Sequence, residues 1–260
     1  MPTITILEKL YGSTSPAAFE VLCSSLVRGL GVELRFAGVT NRGWIELDVS
    51  GADETAALSL LDREVGLAPV SLDRLEKFSV IRGKVIFSSK NRDELRVDLG
   101  IVSSETCDAV VSEEMLSAQL ADGMGISFQR LVELFCLYDN VPLKVKIIEN
   151  VRNDRKTVGA VLSEAQLSLF RSWIRARFDR LIVLGSLFSD VERVIKLSRH
   201  SRDVIKTESL GVLEQVVLCK LGTDAVGLIP KLGRYLKPAV LVPFSPKKIL
   251  ESVDSKSFDW

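Results

Sequence analysis

Residues 143–166 read LKVKIIENVRNDRKTVGAVLSEAQ, and the fold of the chain turns on them. Leu143–Ile148 alternates apolar and charged residues, the period of two that marks a strand with one wet face. Thr157–Leu162 is apolar and β-branched, a second strand. Between them NVRNDRK (150–156) supplies the Asn, Asp and charged residues of a turn. Ser163 with Gln166 three residues later is a capping box, so a helix opens where the hairpin ends. Upstream, Val80–Phe87 and Glu94–Leu99 read as strands around Lys90-Asn91-Arg92-Asp93. Asp108–Val111 is a third strand, and Glu113–Leu120 and Phe128–Leu137 have helical spacing. Five short strands with a helix before the fourth predict a small β-barrel over residues 77–162.

The carriers IRGKV (81–85), VDLGI (97–101), DAVVS (108–112) and the 143–166 segment resemble the S-one type of OB domain found in ribosomal and translation proteins. That resemblance implies a nucleic-acid-binding barrel. Its binding face usually carries aromatics on the second and third strands, where Phe87 is the one clear candidate in this chain.

Both flanks predict α+β modules. In residues 1–76, Thr3–Lys9 alternates as a strand, and Ser15-Pro16 is a helix start. Val32–Ala37 and Trp44–Val49 flank the turn Thr40-Asn41-Arg42-Gly43. Asp53 is placed to cap a second helix, and Leu67–Ser71 is extended. The order βαββα with a last strand is the ferredoxin-like pattern. In residues 163–260 a helix carries Leu167, Phe170, Ile174 and Phe178, and Arg180–Leu184 is a buried strand. Ser189 is read as the cap of the next helix, Val204–Ser209 and Leu213–Leu221 as a hairpin, and Gly222-Thr223-Asp224 as another helix start. Pro230 predicts a bend or an early stop. Ala239–Val242 is the last strand, which makes βαββαβ, a second ferredoxin-like module. The tail after Pro246 is expected to be polar and loose.

GVTNRGWIELDVSG (38–51), LYDNVPLKVKI (137–147), DRLIVLGS (179–186), SRHSRDVIKTESLGVLE (198–214) and VLCKLGTDAVGLIPKLG (217–233) together resemble an archaeal family, domain of unknown function 2110. The resemblance spans nearly the whole chain. It implies an archaeal cytoplasm and carries no activity with it.

Composition narrows the function. The 260 residues are 47% hydrophobic and 26% charged, ordinary values for a folded chain. No apolar run reaches the roughly 18 residues of a membrane span, and MPTITILEKL lacks the basic start of a secretory signal. The four cysteines (Cys23, Cys107, Cys136, Cys219) are scattered and there is one histidine, so no zinc, haem or Cys/His pair is expected. No cofactor, metal or catalytic residue is assigned. The formal charge of zero hides an asymmetry: residues 1–150 hold 15 basic and 22 acidic residues, and residues 151–260 hold 19 and 12. A basic half points to an anionic partner.

The basic residues concentrate in 152–202. Arg152, Arg155 and Lys156 sit on the hairpin tip. Arg171 and Arg175 are i, i+4 on one helix, and Arg193, Lys196 and Arg199 line the next, with Arg202 beyond. Merged, they would form a groove that neutralises a phosphate backbone. The competing account is a set of solvated helix faces paired with Asp190 and Glu192. Arg42-Gly43-Trp44 echoes an RNA-recognition consensus, but Glu46 and Asp48 follow where aromatics belong, so Trp44 is read as covering the sheet or meeting another module. Lys220–Asp224 is read as a helix start rather than a phosphate loop, and His200 as a surface or capping residue. The expectation is a non-catalytic protein that binds nucleic acid, RNA favoured, or a ribonucleoprotein. The alternatives are an adaptor of the translation or transcription machinery, with a protein partner on the acidic N-terminal module, and an enzyme acting on RNA or a nucleotide through His200, Asp203 and the Gly222–Asp224 loop.

Overall fold

Two antiparallel sheets flank a closed barrel in the computed structural model, which describes residues 2–12, 14–69, 75–86, 93–101, 107–152 and 157–253, with the backbone alone at 150–152. β1 (Thr3–Lys9), β2 (Val32–Val39) and β3 (Trp44–Gly51) pair in the order β1-β3-β2. α1 (Pro16–Leu26) and α2 (Glu54–Glu64) bury Phe19, Cys23, Ala57 and Leu61 in the core of this module. The Ser15 hydroxyl accepts from Ala18 N at 3.2 Å, the cap its position before Pro16 predicts. Asp53 departs from expectation. Its carboxylate accepts from Gly31 N at 2.7 Å, so it ties the entry of β2 to α2 instead of capping the helix. Of the expected last strand, Leu67–Ser71, Leu67 bridges to Ile6, and residues 70 and 71 lie outside the described residues.

β4 (Val80–Ile86), β5 (Glu94–Asp98), β6 (Asp108–Ser112), β7 (Pro142–Arg152) and β8 (Thr157–Leu162) close in the order β4-β5-β6-β8-β7. The pairing of β6 with β8 is parallel and the others are antiparallel. Val85, Leu95, Val97, Ala109, Val145, Ile147 and Val158 are buried in the barrel interior, the inward half of a period-two pattern. α3 (Glu113–Ala121) and α4 (Phe128–Phe135) lie between the third and fourth strands. α5 (Glu164–Ala176) follows at once. Ser163 Oγ accepts from Gln166 N at 3.2 Å, half of the expected capping box. The Gln166 side chain turns to β7 instead and accepts from Lys144 N at 3.2 Å, which fastens the helix to the barrel wall.

β9 (Arg180–Leu184) is central in the sheet β10-β11-β9-β12, with β10 (Val204–Ser209), β11 (Glu214–Cys219) and β12 (Val240–Phe244). Every residue of β9 and β11 is buried, because this sheet is covered on both faces. Leu181 and Val183 share a cluster with residues of α6 (Phe188–Leu197) and α7 (Ala225–Gly233). Ile182 and Leu184 share one with α5, with α8 (Pro246–Ser252) and with the barrel interior. Phe170 of α5 meets Phe135 of α4 at 5.4 Å, and Trp173 meets Phe244 at 5.1 Å, so barrel and C-terminal sheet have one continuous core. Two expectations need correction. The residue at the cap of α6 is Leu187, not Ser189, because Leu187 packs on the N-terminal module's core and apolar contact sets the entry of the helix. The tail after Pro246 is not loose as far as residue 253: α8 buries Ile249, and Val253 follows it into the same core. Pro230 lies inside α7, which ends three residues later.

The N-terminal module docks on the rest through charge. Glu8 on β1 accepts from Lys84 Nζ at 2.7 Å and from Arg82 at 3.1 Å. Lys84 Nζ also reaches Glu214 at 2.7 Å, and the Tyr11 hydroxyl donates to the same carboxylate. Further along, Lys9 pairs with Asp98 at 2.8 Å and Arg42 with Asp98 and Asp108. Trp44 is buried here, with Lys9 Nζ 4.8 Å from its ring centroid. A Cβ on Gly100 of the barrel would meet that ring at 3.5 Å.

Candidate nucleic-acid interface

The basic residues singled out in the sequence do not fall on one face. Arg171 and Arg175 ride on α5, and Arg193 and Lys196 ride on α6. These helices cover opposite faces of the C-terminal sheet, so their outer sides point apart. Arg171 pairs with Glu164 at 2.6 Å and Arg193 with Asp190 at 2.7 Å. Arg175 is exposed. Arg152 ends β7, with its backbone opposite Thr157, and Arg155 and Lys156 lie outside the described residues.

A smaller set does converge, at the end of α6. Lys196, Arg199 and Arg202 are all exposed there. The helix closes with His200 N donating to Ile195 O at 3.1 Å, and Arg199 takes φ 62° to make that turn. Cations at this position oppose the negative end of the helix dipole. A 3-10 turn, Ser201–Asp203, then brings Asp203 back to His200, with 2.6 Å between the carboxylate and Nδ1. Lys220 N donates to Asp203 O at 2.9 Å, which carries the β11–α7 turn to the same corner. The Asp203 carboxyl is held below its ordinary value, chiefly by the hydrogen bond from His200 and further by the charges of Arg202 and Lys231. Arg202 and Lys231 thus act on one carboxylate that is already engaged, and Lys196, Arg199 and Lys220 are exposed on the segments that meet at this corner, which makes five cations. None of the five makes an ion pair among the described residues, whereas Arg171 and Arg193 do. Leu197 and Leu221 on the same segments are exposed too.

Sequence reasoning found Lys196, Arg199 and Arg202 and missed Lys220 and Lys231. Those two are separate in sequence and join only because β10 and β11 pair and α7 returns beside α6. The remaining motifs fall where the plainer account put them. Trp44 meets the barrel. Asp224 accepts from Val226 N at 3.0 Å as the cap of α7, so Gly222-Thr223-Asp224 is a helix start. His200 and Asp203 form a pair at the Ser201–Asp203 turn, and no group of three metal-ligating side chains occurs among the described residues. On the barrel, Phe87 lies outside the described residues. The outward-facing Lys84, Asp98 and Asp108 of β4, β5 and β6 are buried under the N-terminal module, so much of this face is closed by the chain itself.

The architecture is a β-barrel carried between two α+β modules. Residues 3–69 match the DUF2110 N-terminal domain and residues 178–243 the DUF2110 C-terminal domain. The chain belongs to the DUF2110 family. No curated protein matches it. Among the described residues no helix is long and apolar enough to cross a membrane.

Proposed function

We propose that this is a non-catalytic nucleic-acid-binding protein, acting in the cytoplasm of an archaeon on RNA or a ribonucleoprotein. The observation that carries the reading is the corner where Lys196, Arg199, Arg202, Lys220 and Lys231 gather with no ion-pair partner among the described residues. Exposed cations without carboxylates lose little on meeting phosphate, and each phosphate neutralised releases counterions. The barrel supplies support by analogy of fold only. Five contacted phosphates on a single strand give a log–log salt slope of about −3.5, or a loss of roughly 100-fold in affinity between 50 and 200 mM salt. Fluorescence anisotropy with a labelled RNA measures this. Changing Lys196, Arg199 and Arg202 to Gln should flatten the slope by about 2. Absence of binding to single-stranded and duplex RNA at 50 mM salt would falsify the reading.

One feature favours the adaptor as a second reading. A cleft of about 460 Å³ opens between the N- and C-terminal modules, lined by Leu22, Leu26, Leu187, Phe188 and Leu210. A pull-down that returns one stoichiometric protein, unchanged by nuclease, supports it.

A further inference from the structure

Before β4 the chain makes a tight approach to β7. Phe78 N donates to Ile147 O at 2.8 Å, and Ile147 N donates to Ser79 O at 3.0 Å. These two bonds hold Phe78 at φ 73°, a left-handed conformation that an aromatic residue rarely adopts. The ring gains no burial for that strain, since Phe78 is 61% exposed. Two ammonium groups attend it: Lys77 Nζ at 5.2 Å and Lys146 Nζ at 5.3 Å from the ring centroid. Lys146 faces Val80 across the β4–β7 pairing, and Val80 is also exposed. Lys144, exposed two residues along the same strand face, continues the row. Neither Lys77 nor Lys146 pairs with a carboxylate among the described residues, although Glu76 is exposed beside them.

We infer that Phe78 is a stacking platform for one unpaired base, with Lys77, Lys146 and Lys144 taking the phosphates on either side. The inference rests on the nucleic-acid reading and adds to it a second contact surface and a ligand class, the single strand. An exposed aromatic ring offers its face to a base that is free of a partner, and a duplex has no such base to give. The lysines over the ring are flexible, so an arriving base displaces an ammonium outward, toward the phosphate linked to that base. The site lies on the β4–β7 side of the barrel. The opposite choice, β5 and β6, is where Asp98 and Asp108 are already paired with Lys9 and Arg42.

The test uses the full chain and two probes of one sequence, a labelled 12-nucleotide single-stranded RNA and its duplex, at 50 mM salt. Phe78→Ala should weaken single-strand binding by about 5- to 150-fold and leave duplex binding within about twofold, since stacking on one aromatic is worth that range. Phe78→Trp should keep the affinity and add a tryptophan emission that the single strand quenches. Lys77→Gln with Lys146→Gln should lower the single-strand salt slope by about 1.4. Thermal melts confirm that each variant is folded. If Phe78→Ala binds the single strand as the wild type does, while the Lys196, Arg199 and Arg202 variant is weakened, the platform is overturned and the nucleic-acid reading stands. If the wild type binds neither probe, both fall. A protein that co-purifies with the wild type and is released by Phe78→Ala overturns the inference in favour of a protein surface.

Discussion

Lys84 of the barrel and Glu214 of the C-terminal sheet meet at 2.7 Å, 130 residues apart in sequence and both withdrawn from water. Glu8 of the N-terminal sheet completes the arrangement on the same Nζ. Burial works against the Lys84 ammonium, but the Glu214 and Glu8 carboxylates outweigh it and hold its pKa above the ordinary value. Burial likewise pushes the Glu214 carboxyl up, against the pull of Lys84. Lys84→Met strands two carboxylates in the interior and should cost about 3–5 kcal/mol, read from urea midpoints. The triple change Glu8→Gln, Lys84→Met, Glu214→Gln removes the stranded charge and should recover most of it. A Lys84→Met loss below about 1 kcal/mol contradicts the burial.

The sign of the pH effect follows from the direction for Lys84. A cation whose pKa is raised on folding contributes stability that is complete below its ordinary value of 10.5, and the contribution drains away as pH climbs through the folded value. The stability gap between wild type and Lys84→Met should therefore narrow above about pH 10.

Gly12 and Gly185 touch where the first strands of the two flanking modules end. Gly12 takes φ 74°, and a Cβ there would lie 2.9 Å from the Gly185 Cα, closer still to its carbonyl oxygen. The obstacle is backbone, which cannot swing aside as a side chain does. Gly12→Ala should cost more than about 2 kcal/mol and separate the N-terminal module from the C-terminal one. Gly29→Ala serves as the control, since it shares a positive φ but would meet nothing within 4 Å. Hydrogen exchange in β1 and β9 measures the difference. Equal effects of the two changes would mean that only backbone conformation matters.

Asp203 should titrate below 3.8, and His200→Ala should bring it back toward that value, because the hydrogen bond from His200 is the main influence on it. The carboxyl carbon shift in an NMR titration reports this. The pair's contribution to folding is present above 3.8 and fades as pH drops through the lower, folded value. An Asp203 that titrates at or above 3.8 in the wild type contradicts the contact.

Thr3–Lys9, Thr157–Leu162, Arg180–Leu184 and Val204–Ser209 can be read from sequence to the residue, because alternation or β-branched runs stop abruptly at polar turns. α8 cannot, since Ile249 and Val253 are two anchors amid lysines and serines and no periodic stripe announces them. The charge cluster is equally hidden. Glu8, Lys84 and Glu214 each look like the wet position of an alternating strand until three modules close over them. The corner was half legible: Lys196, Arg199 and Arg202 follow one another along α6 and the turn after it, whereas Lys220 and Lys231 arrive through β10–β11 pairing and the return of α7. Phe78 gave no signal at all. Its meaning lies in being left uncovered, and exposure is a property of what fails to pack above a residue.

A single ammonium answering to acids from both flanks has a hereditary consequence. Loss or exchange of either flanking unit would take away one of the two acids that hold this ammonium inside the barrel's own wall. Changes at the three positions should therefore be coupled in their effect on stability.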